Sequence, residues 1–223
     1  ITDAVESKSA VVVEVTGVDE TGWYDFSDAR YKNKDLRKYD VRINSQQAPI
    51  AFIATAKEGG KYVATKSIGH CVDILAGSVL KAGASDALNV QKNVFVRTEG
   101  ALNVTAKIAR LNIMNDLIVE EDGEVTTESK TAETKSAVND MKVGHDIKNS
   151  GLITSDRNFA VMNDFIITAT GELDSNGIPS GKENQVGNNF ELSGKAAFAR
   201  YTTTIVKGTF NSEAKSQFVR EGL

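Results

Sequence analysis

The side chains best suited to chemistry are few: one cysteine, Cys71, and two histidines, His70 and His145. His70 and Cys71 are neighbours in sequence, yet adjacent residues on a strand or helix point apart, so they cannot form a thiolate pair with each other. A Cys–His catalyst would need the His145 segment to meet Cys71. Two histidines and one cysteine also leave little with which to build a zinc site. Other short motifs fail on spacing. Asp174-Ser175-Asn176-Gly177 lacks the third acidic ligand and the bidentate glutamate of a calcium loop and is expected to be a turn. Gly59-Gly60-Lys61 and Gly181-Lys182 lack the upstream glycine and the following Ser or Thr of a phosphate loop. The carboxylate pair Glu120-Glu121 sits in a polar run and is expected to be solvated. Asn103-Val104-Thr105 is a glycosylation sequon of a kind that arises by chance. No catalytic residue, metal ligand or cofactor motif is therefore assigned, and an enzyme is not expected.

The elements that would position any site read as mainly β. Tyr39 to Asn44 alternates apolar and polar residues, as a half-buried strand does. Pro49 to Ala56 is apolar on both faces. Lys57-Glu58-Gly59-Gly60 is turn chemistry, and Lys61 to Lys66 returns as its partner strand. Val72, Leu75, Ala76 and Val79 fall on one face of a helix, which predicts one internal helix at about 69–81. Further strands are expected at Ser9 to Val18, Asn93 to Arg97, Leu102 to Val119, Phe159 to Met162 and Phe165 to Thr170. Gly171 to Asn189 reads as a long polar loop, Phe190 to Ala199 and Tyr201 to Phe210 as a last hairpin, and Asn211 to about Arg220 as a short C-terminal helix. No repeat at a fixed period is visible. The predicted fold is an antiparallel sandwich or barrel: a β domain over 1–119, a polar surface excursion or arm over 120–150, and a second β block over 151–223 packed on the first. The 120–150 run is too poor in large apolar residues to offset its ordering entropy unaided.

Composition bounds the function. The chain has 223 residues, 40% apolar and 25% charged, which is ordinary for a globular protein. One cysteine permits no intrachain disulfide, which fits a reducing compartment. No apolar run approaches the roughly 18 residues of a membrane span, so none is expected. No signal peptide is visible, and because the chain opens on Ile1 rather than Met, a preceding segment is expected, whether a signal, a propeptide or a disordered leader. Net charge is −4, unevenly spread: residues 1–110 carry 15 Lys/Arg against 13 Asp/Glu, residues 111–223 carry 11 against 17.

The basic excess concentrates in Arg30, Lys32, Lys34, Arg37, Lys38, Arg42, Lys57, Lys61 and Lys66, with Tyr31, Tyr39 and Tyr62 interleaved. Basic groups track a phosphate backbone and aromatic rings stack on bases, so these residues define one function: a single-stranded nucleic-acid groove on an OB-like barrel. Trp23, Tyr24 and Phe26 would be a stacking platform in that case and a core anchor otherwise. The favoured expectation is different. Exposed arms, charge asymmetry and missing site chemistry point to a structural subunit of a coat, tube or filament, whose partners are copies of itself joined through strand edges and arms. Its setting would be a soluble, virion or extracellular assembly.

Overall fold

In a computed structural model, residues 12–15, 23–25, 40–44, 50–53, 55–58, 61–64, 71–82, 87–104, 110–127, 141–178 and 180–220 are described. Their strands are short, three or four residues each, and nearly all pair in parallel. A first sheet of nine strands runs from Val12–Val15 to Phe210–Ser212, a second of nine from Trp23–Asp25 to Gln217–Arg220, and a third of six from Ala87–Val90 to Thr203–Val206. Each strand of these three sheets pairs with one a circuit away in sequence. In the first sheet Val41 aligns with Val72, then Val94, Leu117, Ile147, Phe165, Phe190 and Phe210 in turn. From Val72 onward the chain visits the first, second and third sheets repeatedly, and each circuit stacks on the one before. This is a three-faced parallel β-solenoid.

The expected antiparallel sandwich or barrel is therefore corrected. The one antiparallel pair among the described residues is the Thr55–Glu58 and Lys61–Ala64 hairpin, in register at Glu58 with Lys61. The last predicted hairpin is also corrected: Phe190 and Phe210 do pair, but in parallel. The reason lies in the pattern. In-out alternation is identical for parallel and antiparallel strands with one wet face, so it carries no direction.

Both expected helices are strands, and the described residues contain no helix. The 69–81 periodicity comes from two strands, Val72–Ile74 and Val79–Ala82, separated by a turn. The turn resets the alternation and so imitates spacings of three and four. Gly77 within it sits at φ 69°, a left-handed conformation no helix interior holds. At the C-terminus Gln217–Arg220 pairs in parallel with Lys195–Phe198. Ahead of it, Ser216 N–H donates to Glu213 O at 3.0 Å, a single turn that goes no further. The polar loop expected over 171–189 holds the strands Glu172–Ser175 and Glu183–Val186. Within 120–150 lie the strands Glu124–Thr127, Met141–Val143 and Ile147–Asn149, one from each sheet, while 128–140 fall outside the described residues.

Aligned positions in the first sheet recur after 18 to 31 residues, which explains why no fixed period is visible. The three corners share this variation unequally. Between the third and first sheets every crossing takes three residues, such as 91–93, 114–116 and 144–146. Between the first and second, from Val72 onward, it takes two or four. Between the second and third it ranges from three residues, 156–158, to thirteen, 128–140.

The core is a stack of inward side chains. Phe159, Phe165 and Phe190 are essentially inaccessible. Phe165 lies 5.4 Å from Phe159 and 5.2 Å from Phe190, centroid to centroid. Burial of each such ring contributes about 1.5–3 kcal/mol.

Candidate functional site

The constant three-residue corner carries the densest polar chemistry. Its residues read Gln91-Lys92-Asn93, Met114-Asn115-Asp116, Gly144-His145-Asp146, Met162-Asn163-Asp164, Gly187-Asn188-Asn189 and Lys207-Gly208-Thr209, each followed by an inward apolar residue. The strand before each triplet ends inward and the strand after it begins inward, so the backbone must turn sharply between them. Asn and Asp suit that turn because their short side chains bond to nearby backbone.

Here they bond across coils. The third residue of each of the first five triplets accepts, through Oδ1, the N–H of the third residue in the next coil. The distances are 3.1 Å for Asp116 N to Asn93, 3.1 Å for Asp146 N to Asp116, 3.0 Å for Asp164 N to Asp146, 2.9 Å for Asn189 N to Asp164 and 3.0 Å for Thr209 N to Asn189. The second residue reinforces it. Asn115, Asn163 and Asn188 donate Nδ2 to Asn93, Asp146 and Asp164 at 2.6, 2.7 and 2.8 Å. His145 does the same with an imidazole: its Nδ1 donates to Asp116 Oδ1 at 2.7 Å. Earlier in the chain, Cys71 N donates to Asp40 Oδ1 at 3.0 Å.

His145 stands among carboxylates. Beyond Asp116, its Nδ1 is 3.4 Å from Asp146 Oδ2. Its side chain is half exposed. The hydrogen bond to Asp116 raises its pKa above the usual histidine value, desolvation opposes this slightly, and the charges of Asp146, Asp116 and Asp164 add to the rise. One ligand atom from each of Asp116, His145 and Asp146 falls within 4.8 Å of the others, so this group could hold a metal ion.

Cys71 is not part of such chemistry. It is buried beside Phe95 and Ile118 on the outer side of the first sheet. Burial pushes its thiol up to about 11, with the nearby Asp40 adding to the effect, so it is not a thiolate near neutral pH. Three coils separate its row from that of Asp146; at about 4.8 Å per parallel strand this is about 14 Å. The Cys71–His145 pairing that a Cys–His catalyst requires is not formed.

A second polar group crosses the outer face of the first sheet. Arg97 donates from Nε to Asp73 at 2.6 Å and from Nη1 to Glu120 at 2.8 Å, and its guanidinium lies 4.9 Å from the Phe95 ring centre. Burial works against the Arg97 charge, but these bonds outweigh it and raise its pKa. Of the basic residues named for a nucleic-acid groove, Arg42 lies on this same face with Nε 3.9 Å from Asp73 Oδ2. Lys57, Lys61 and Tyr62 lie on the antiparallel hairpin. Arg30, Tyr31, Lys32, Lys34, Arg37, Lys38, Tyr39 and Lys66 fall outside the described residues.

The last coil offers a different surface. Thr203–Val206, Phe210–Ser212 and Gln217–Arg220 are each the final strand of their sheet. Phe210 continues the inward column of Phe165 and Phe190, and Phe218 aligns with inward Ala196. Yet Phe210 is 46% and Phe218 57% exposed. Their rings meet edge to face at 6.0 Å.

Sequence reasoning passed over Asp116, Asp146 and Asp164. Their signal was the recurring pair Asn-Asp, His-Asp or Asn-Asn ahead of Leu, Ile or Phe, hidden by its irregular spacing. No known protein family, curated protein or solved structure matches the chain. Among the described residues no helix is long and apolar enough to cross a membrane.

Proposed function

We propose that this chain is a non-enzymatic structural subunit that associates end to end with copies of itself. The observation that carries this is the last coil, where Phe210 and Phe218 face the solenoid axis with no further strand stacked on them among the described residues. Three parallel strand edges end together there. A strand edge is a template for another strand. At the opposite end Val12–Val15 and Trp23–Asp25 open the first and second sheets in the same direction. A second copy stacked head to tail would therefore extend both sheets in parallel. Such a heterologous contact leaves a free edge at each end and builds a filament unless rotation closes it into a ring. The irregular but continuous coils suit a stiff shaft better than a reactive pocket. Nucleic-acid binding is less favoured, because Arg42 already faces the Asp73 carboxylate.

The test is sedimentation velocity across a wide concentration range, with negative-stain microscopy of the concentrated sample. Linear oligomers that grow with concentration are expected, and the double substitution Phe210→Lys, Phe218→Lys is expected to return them to monomer. A native chain that stays monomeric at high concentration would sink the proposal.

A further inference from the structure

We propose that Asp116, His145 and Asp146 form a binding site for one divalent transition-metal ion, independent of the end-to-end contact. Imidazole with two carboxylates is a donor set suited to Zn²⁺, Ni²⁺ or Co²⁺ rather than to Ca²⁺ or Mg²⁺, which favour oxygen alone. The spacing fits. Nδ1 of His145 is 2.7 Å from Asp116 Oδ1 and 3.4 Å from Asp146 Oδ2. Ligands held at about 2.0–2.2 Å from one ion lie about 2.8–3.5 Å apart in octahedral or tetrahedral arrangements. An ion would replace the proton that Nδ1 now shares with Asp116.

The surroundings hold the carboxylates in place. Asp146 Oδ1 is fixed by Asn163 Nδ2 at 2.7 Å and by Asp164 N–H at 3.0 Å, which leaves Oδ2 turned to the histidine. Asp116 Oδ2 accepts from Asn115 Nδ2 at 3.0 Å, and its Oδ1 accepts from Asp146 N–H at 3.1 Å. Partners of this kind orient ligands and tune their affinity. The half-exposed imidazole leaves the remaining coordination positions to water.

A second observation separates this coil from its neighbours. The ladder requires only a donor at the position of His145, and asparagine supplies it at 115, 163 and 188. Asn115, Asn163 and Asn188 offer no aromatic nitrogen. Among the described residues, only in the His145 coil is the ladder donor also a strong metal donor, and there it faces carboxylates from two successive coils.

The experiment titrates the full chain, stripped of metal, with Co²⁺ followed by absorption spectroscopy, and with ZnCl₂ by calorimetry. One ion per chain is expected, with Zn²⁺ displacing Co²⁺ and binding weakening at low pH as protons compete. His145→Asn restores the residue found in the neighbouring coils, so it should keep the native circular dichroism, with only the small pH-dependent change in melting temperature that loss of the imidazole brings. It should lose more affinity than the about 10–100-fold that removal of a supporting group costs. Asp146→Asn keeps the Oδ1 acceptor, as Asn93 and Asn189 do, and should weaken the ion even if His145→Asn fails to fold. No binding of Co²⁺ or Zn²⁺ by the native chain would overturn the site. So would binding that both variants leave unchanged, which would place the ion elsewhere.

Discussion

Phe190 and Phe210 occupy the same inward position one coil apart, in register with each other. Phe190 is 1% exposed and Phe210 46%. Neither its own strand nor its own coil buries an inward residue here; the coil stacked next does. In a repeat architecture stability is the sum of each unit and the interfaces between neighbours. A terminal coil possesses one interface where a middle coil has two. Under the proposed end-to-end association, a second copy would supply the interface that the last described coil lacks.

The comparison is broken most directly by truncating both rings. Phe190→Ala should cost about 3–5 kcal/mol in denaturant unfolding, the range for a buried phenylalanine, and Phe210→Ala less than half of that. Equal costs, measured on dilute monomer, would mean that the end is covered after all. Gly171→Ala should come next. A Cβ there would meet Asn149 O at 2.2 Å, backbone that cannot yield cheaply. A loss of about 1–3 kcal/mol is expected, read from the melting temperature. By contrast, Gly181→Ala in an open turn has nothing within 4 Å of its added methyl and carries only the strain of φ 79°.

The polar ladder sharpens the comparison on a smaller scale. Asp164→Ala strands Asn188 Nδ2 and Asn189 N–H together. Asn189→Ala, one coil nearer the end, removes the acceptor of a single exposed bond to Thr209 N–H. The first should cost about 1–3 kcal/mol and the second clearly less, as judged by hydrogen exchange at the corner. The smallest effect is on pH. His145 faces Asp116, Asp146 and Asp164, and its pKa is raised on folding. Its ion pairing therefore stabilises the fold below the ordinary histidine pKa of about 6.5 and is lost as pH rises through the folded value. The melting temperature of the native chain minus that of His145→Asn should fall between acidic and mildly basic pH. A flat difference would show that the imidazole titrates as it does when unfolded.

Local strands were legible because alternation is local. Asp40–Ile43 falls inside the stretch expected from Tyr39 to Asn44, and Val94–Val96 inside Asn93 to Arg97. Direction was not legible, because the partner of each three-residue strand lies a whole circuit away and the alternation is the same either way. The solenoid was hidden by its uneven circuits: Ile147 and Phe165 are aligned after 18 residues, Leu117 and Ile147 after 30. His145 was visible as a metal-ligand type, but its partners were not. Asp116 lies 29 positions earlier and reaches it only through stacking. Nor could the burial of Cys71 be read from its neighbours in sequence, since Phe95 and Ile118 come from the next two coils.

The uneven corner between the second and third sheets has a practical consequence. Connections of very different length, three residues at 156–158 and thirteen at 128–140, join the second sheet to the third while the register of the flanking strands is kept. Loop length is thermodynamically cheap, each doubling costing about 0.6 kcal/mol. New peptides grafted here would hang from the shaft like teeth on a comb, each row about 4.8 Å from the next. Such a molecule can diversify what it displays without redesigning what it stands on.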